Sequence, residues 1–204
     1  MIQYQVYDPA ELDGRTRYQL LTSIVVPRPI GWISTWSEGG LANLAPFSYF
    51  AALSASPVLV GVSIGHRKTG PKDTLVNIRA KGAFCANFVS RSLLSPMNDT
   101  SGDYPPEVDE FEVAGLERRT ADRVDAPFVD GAPTVMECRV FREVDLGSAP
   151  NTLVIGEVMR IHVDPAVPRS PGTEFLDTEH LDPVARLWGP MYGLLGDTMR
   201  IPRP

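Results

Sequence analysis

The sequence is poor in the residues that build metal and redox centres. Cys85 and Cys138 are its only cysteines, and His66, His162 and His180 its only histidines. Two cysteines without CxxC spacing give no disulfide framework, and the histidines form neither HxxxH nor HxxE. The expectation is two buried core thiols and no metal site. GxGxxG and GxxxxGK[ST] are both missing, which argues against a Rossmann or P-loop nucleotide site. Ser34, Ser48 and His162 offer the ingredients of a nucleophilic triad, but no GxSxG elbow presents a serine.

Long apolar runs are missing too. No stretch approaches the roughly 18 residues of a membrane span, and MIQYQVYDPAELDG lacks a signal peptide's basic and apolar regions. The expectation is a cytoplasmic protein without membrane contact. A net charge of -6 and a pI near 5.1 give no electrostatic reason to expect nucleic acid.

What is present is an ordinary folded chain of 204 residues, 43% hydrophobic and 22% charged. Nineteen prolines and 17 glycines cut it into short apolar runs. SIVV and PIGWIST predict a strand over about 24–36, Glu38-Gly39-Gly40 a turn, and 41–50 the returning strand of a hairpin. Pro57–Ile64 reads as a third strand. Thr69 or Asp73 is a candidate N-cap for a short helix that carries Leu75 and Ile78 on one face and stops at Gly82. Ala83–Val89 reads as a strand, SRSLLSPMND as a second short helix, and GDYPPEVDEFEVAG as an acidic loop with a helical turn.

Beyond the linker RVDAPFVDGAP, Thr134–Leu146 and Thr152–Val163 form a long hairpin around GSAPN. The segment 166–204 is proline-rich and wraps the surface or a partner of a 1–165 domain. Strands in hairpins with short inserted helices predict an all-β, closed or nearly closed antiparallel barrel.

Three stretches carry chemistry. The loop from His66 to Thr74 is rich in cations and runs into a helix N-terminus, where an anion is well held; a solvated basic loop has the same composition. NLAPFSYF (43–50) sets Phe47, Tyr49 and Phe50 beside Asn43 and Ser48. That combination suits a planar heteroaromatic, or equally a kinked strand feeding aromatics to the core. Pro46 cannot donate to a ladder, so this strand lies at an edge or a bulge. In ARLWGPMYGLLG, Arg186, Trp188 and Tyr192 surround a glycine-proline bend, either to anchor the tail or to meet an anionic ligand.

VPRPIGWIST, NLAPFSYF, the KDTLVNI helix start, GAFCANF and MNDTSGDYPPEVDEFE stand in the order of the flavin reductase-like, FMN-binding split-barrel proteins. APTVMECRV, LVIGEVMRIHVD and LDPVARLWGPMYGLLGD continue the resemblance, which runs from about Leu20 to Gly196. It implies a six-stranded antiparallel Greek-key split barrel, a homodimer, and bound FMN, with FAD also possible. The implied activity is NAD(P)H-dependent flavin reduction, with reduced flavin passed to a monooxygenase. Two alternatives keep the flavin: a flavoenzyme acting on its own small molecule, and a carrier or sensor without turnover.

By motif, the resemblance places Asn43, Ser48, Tyr49, Phe50 and Ser54 along the flavin. It puts Lys72 and Thr74 at its phosphate, and Asn98 and Thr100 where the chain approaches it again. Arg186, Trp188 and Tyr192 fall on the nicotinamide or substrate side. Trp188 departs from a glycine common in the family, and an indole there either stacks on a nicotinamide or blocks it. Neither NADH nor NADPH is favoured by any motif.

Overall fold

The computed structural model describes residues 2–147 and 151–201. Its first element is a helix, α1 (Gly14–Ile24), where the sequence reading had a strand beginning at 24. Asp13 explains the helix: its carboxylate accepts the N–H groups of Arg15 at 2.8 Å and Thr16 at 3.0 Å, satisfying donors the first turn leaves unpaired. Val25 and Val26 are poor helix formers, and Pro27 disfavours helical backbone before it, so α1 stops there.

The strands follow: β1 (Arg28–Pro29), β2 (Gly31–Trp36), β3 (Ala42–Phe47), β4 (Phe50–Ala55) and β5 (Val58–Gly65). Helix α2 (Asp73–Lys81) leads to β6 (Ala83–Asn87), and a 3-10 turn at Arg91–Leu93 leads into α3 (Leu94–Asp99). The acidic loop holds α4 (Glu110–Val113). The segment read as a linker instead takes part in a small two-stranded sheet, β7 (Arg118–Thr120) with β8 (Pro127–Val129). The long hairpin is β9 (Thr134–Leu146) and β10 (Asn151–Val163); its predicted GSAPN turn falls largely outside the described residues. The tail contributes α5 (Thr178–Leu181), β11 (Val184–Arg186) and β12 (Tyr192–Leu194).

Seven strands form the main sheet in the order β3-β2-β6-β9-β10-β5-β4, and their pairings are antiparallel. The two outermost strands are consecutive in the chain. β3 pairs with β2 up to Phe47, the chain bends at Ser48 and Tyr49, and β4 pairs with β5 from Phe50. One kinked strand thus crosses from one edge of the sheet to the other, and counting β3 and β4 as one gives a six-stranded split barrel. Tyr49 still takes part: its carbonyl accepts the Ser63 N–H at 2.8 Å. Pro46 pairs in register with Trp32 on an edge strand, where a missing N–H costs no ladder bond.

Alternation along β2 separates two cores. Ile33 joins Phe47, Val62, Ile64, Leu75, Phe84 and Val154 in one. Trp32 joins Leu44, Met97, Phe111 and Val184 in the other, under the helices and the tail. Cys85 and Cys138 are buried and free, and burial pushes both thiols up, so they pack as apolar side chains. Helix α2 ends as its sequence predicts, with Gly82 left-handed at φ 66° and its N–H on the Ile78 carbonyl. Its N-cap is Lys72, not Thr69 or Asp73: Asp73 is already the first helical residue, and its carboxylate pairs with Arg67.

Candidate functional site

The bend at Ser48 is where the site forms, because two cavities meet on this residue. The first, of about 440 Å3, is lined by Tyr18, Ser48, Lys72, Asn98, Arg186 and Tyr192 with Ile30, Pro46 and Ser101 among them. Two cations and no carboxylate line it, in a chain of net charge -6. Lys72 has no ion-pair partner among the described residues and lies 5.5 Å from the Phe47 ring centre. It also begins α2 without any side-chain cap, so free backbone N–H groups and the positive helix end sit beside its ammonium. Across the cavity Arg186 stacks 4.6 Å from the centre of Tyr192, whose hydroxyl donates to Asn98 Oδ1 at 2.9 Å.

The second cavity, of about 350 Å3, is mostly apolar. Leu21, Val25, Phe50, Leu53 and Leu153 wall it, with Thr22, Arg28, Ser48 and Tyr49 as its polar members. Burial raises the Tyr49 hydroxyl above its ordinary value, so it stays protonated and able to donate. A further cavity of about 390 Å3 lies on the other side of Phe50, against Ile30, Met136 and Val184. Phe50 stands between the two because Gly31 leaves room for it; a Cβ on Gly31 would come 2.6 Å from the Phe50 ring.

Ser48, Tyr49, Phe50, Lys72, Asn98, Arg186 and Tyr192 are therefore brought together, as cavity walls. The other predicted residues stand apart from these walls. The amide of Asn43 donates to both oxygens of Glu110 at 3.0 Å and accepts from the Thr74 hydroxyl at 2.8 Å. Burial pushes the Glu110 carboxyl up, while bonds from Leu44 N–H and Asn43 oppose the shift. This buried network pins β3 to α2 and α4, and so holds Lys72 in place. Thr100 is also internal: its hydroxyl accepts from the Trp32 indole at 2.9 Å and donates to the Met97 carbonyl at 2.8 Å. Ser54 accepts from Ser56 N–H in the β4–β5 turn. Trp188 is half exposed on the outside of the tail turn and lines none of the three cavities.

The cationic loop is less free than its composition suggested. Arg67 is bound to Asp73 at 2.8 Å and Asp103 at 2.9 Å, and His66 faces the Thr152 hydroxyl. Its residues hold the loop, and Lys72 alone of them reaches the cavity. Asp122, Glu137 and His162 also cluster, with ligand atoms within 4.8 Å of one another. Their atoms already serve one another and their neighbours. Glu137 accepts from the N–H groups of Asp122 and Arg123 and from His162, and Asp122 pairs with Arg160. Ser34 is buried and donates to the Pro127 carbonyl at 2.6 Å, while His162 is paired with Glu137, so neither is engaged with the other.

The sequence reading missed Tyr18, Leu21 and Val25, because it missed α1. The signal was there: Asp13 before a helix-length stretch, with Tyr18, Leu21 and Val25 at spacings that share a face.

An antiparallel barrel split at a kinked strand, with a cation-lined cavity at the split, defines a split-barrel protein whose site suits an anionic ligand. A family profile for the flavin reductase like domain matches residues 23–178. An uncharacterized protein of Halalkalibacterium halodurans is 35% identical over 97% of this chain and 95% of its own. The crystal structure of nitrilotriacetate monooxygenase component B from Bacillus cereus superposes with a TM-score of 0.93 at 31% identity, covering 98% of this chain and 100% of that one. The 2-nitrobenzoate 2-nitroreductase NbaA of Pseudomonas fluorescens gives 0.88 at 26% identity, over 98% and 96%. The chain belongs to the flavin reductase-like family.

Proposed function

We propose that the protein binds FMN across the two cavities that meet at Ser48 and acts as an NAD(P)H-dependent flavin reductase. The observation that carries this reading is their complementarity. A polar cavity with two cations and no carboxylate adjoins an apolar one, and FMN joins a phosphate and polyol to an apolar planar ring. Lys72 and the uncapped N–H groups at the start of α2 would take the phosphate. The Thr74 hydroxyl is engaged by Asn43, so that residue would contribute its backbone. Ser48 and Asn98 would meet the polyol, and Tyr49, Phe50 and Leu53 would wall the ring. Arg186 and Tyr192 would bound the side open to a nicotinamide.

A bound flavin supplies two-electron chemistry, taking hydride from NAD(P)H and passing the electrons on. The protein's part is to bind, to orient and to limit water, which needs no acid–base dyad. FAD shares the ring and first phosphate and is the alternative cofactor. Likeness to a monooxygenase component B supports an oxygenase as the recipient of reduced flavin. Exposed Leu21, Val25 and Leu53 on the apolar cavity support a homodimer that covers it.

Titration of FMN and FAD into flavin-free protein tests the reading. Bound flavin raises the melting temperature by mass action, and NADH or NADPH then reduces added flavin catalytically. Protein that is colourless as purified and gains no stability from either flavin overturns the proposal.

The likeness to a nitroreductase favours a second reading, in which flavin stays bound and Arg186 receives an aromatic carboxylate. Rapid-mixing reduction by NADH, with and without 2-nitrobenzoate, separates the two: only in the second does the acid reoxidise the enzyme without oxygen.

A further inference from the structure

Arg28 is 6% exposed and meets no carboxylate within ion-pair distance among the described residues. A buried cation without a counter-ion is costly unless polar groups replace its water. Here four do. Nη1 donates to the carbonyls of Thr22 at 2.8 Å and Val25 at 2.5 Å, Nη2 to the carbonyl of Leu187, and Nε to Ser48 Oγ at 3.4 Å.

These acceptors come from three separate parts of the chain. Thr22 and Val25 lie at the C-terminal turn of α1, where unpaired carbonyls and the negative helix end favour a cation. Leu187 begins the tail turn, which closes on itself through Leu187 N–H to the Met191 carbonyl at 3.0 Å. Ser48 is the residue shared by the polar and apolar cavities. Capping a helix would need only the first pair of bonds. The other two reach the tail that carries Arg186, Pro190 and Tyr192, and the kink of the barrel strand.

We propose that Arg28 is a positioning residue of the ligand site: its guanidinium clamps α1 and the tail turn onto Ser48, and so fixes the walls that enclose a bound flavin. The proposal rests on the flavin-binding reading. A planar fork is required, because the four acceptors are met by three separate nitrogens, Nε, Nη1 and Nη2, whereas an ammonium gathers its donors on one atom and cannot span them. Lysine therefore does not replace arginine here, although the charge is kept.

The test follows hydrogen exchange of residues 184–194 and FMN binding by fluorescence quenching in wild type, Arg28→Lys and Arg28→Met. In wild type, FMN slows exchange in 184–194. Both variants weaken FMN binding by about tenfold or more, the weight of one charged hydrogen bond. They also exchange faster in that segment, while β9 and β10 are unchanged. A purely structural role instead lowers the melting temperature and leaves FMN affinity within about twofold, which overturns the proposal. If the variants do not fold, the wild-type measurement decides: FMN that binds without protecting 184–194 overturns it. Wild type that binds no flavin overturns the flavin reading itself, and this proposal with it.

Discussion

Tyr192 and Asn98, 94 residues apart in the chain, are joined by a 2.9 Å hydrogen bond that ties the tail to α3 at the polar cavity. The same Tyr192 ring carries the Arg186 guanidinium. Removing the hydroxyl leaves the ring and its stacking, so Tyr192→Phe isolates the bond. One exposed hydrogen bond contributes little to stability, and the melting temperature is expected to stay within experimental error. FMN affinity is expected to fall by about 0.5–1.5 kcal/mol, read from a quenching titration.

Lys72→Ala removes the cation beside the uncapped start of α2. Loss of one charge-assisted contact to a phosphate costs roughly 1.5–3 kcal/mol of FMN binding. Riboflavin, which has no phosphate, is expected to bind wild type and variant alike. An equal loss for both ligands would show that Lys72 does not meet the phosphate.

Gly31→Ala tests the packing behind the apolar cavity. The new methyl group would lie 2.6 Å and 2.8 Å from two atoms of the Phe50 ring, so the ring must turn or the strand must shift. Overpacking of this kind destabilises by about 1–3 kcal/mol. Denaturant unfolding measures the loss, and FMN affinity falls with it, because Phe50 walls two cavities.

The clasp at Glu137 sets a pH dependence. Burial alone would raise this carboxyl. Hydrogen bonds from the N–H groups of Asp122 and Arg123 and from His162 prevail, and hold it below its ordinary 4.5. A group depressed in the folded state contributes stability that is full above its unfolded value and lost as pH falls through its folded value. Glu137→Gln is therefore expected to destabilise the protein at neutral pH by about 1–3 kcal/mol. The gap between variant and wild type narrows below pH 4.5. A gap that stays constant down to acid unfolding would remove Glu137 from this role.

Hairpins and the α2 stop were legible in the sequence because local chemistry decides them: Gly82 adopts a left-handed conformation, and apolar alternation marks β5, β9 and β10. Lys72, Ser48 and Arg186 were legible as candidates because charge and kink residues stand out against apolar runs. Helix α1 was not, because SIVV at its end reads as strand and the Asp13 cap was passed over. The inward turn of Asn43, Thr74 and Thr100 was not legible either. Whether a small polar side chain serves a ligand or a neighbour depends on partners such as Glu110 and Trp32, which only the fold brings near.

The kink at Ser48–Tyr49 is also the joint that ties the two edge strands of this sheet together. Cutting the chain there, in a circular permutant with new termini at 48 and 49, would leave β3 and β4, the two edge strands of the sheet, free to move apart and expose their edges. Unpaired strand edges recruit other chains and start aggregates. A cofactor seated on this joint would hold it shut, so the flavin-free protein is the form expected to aggregate first.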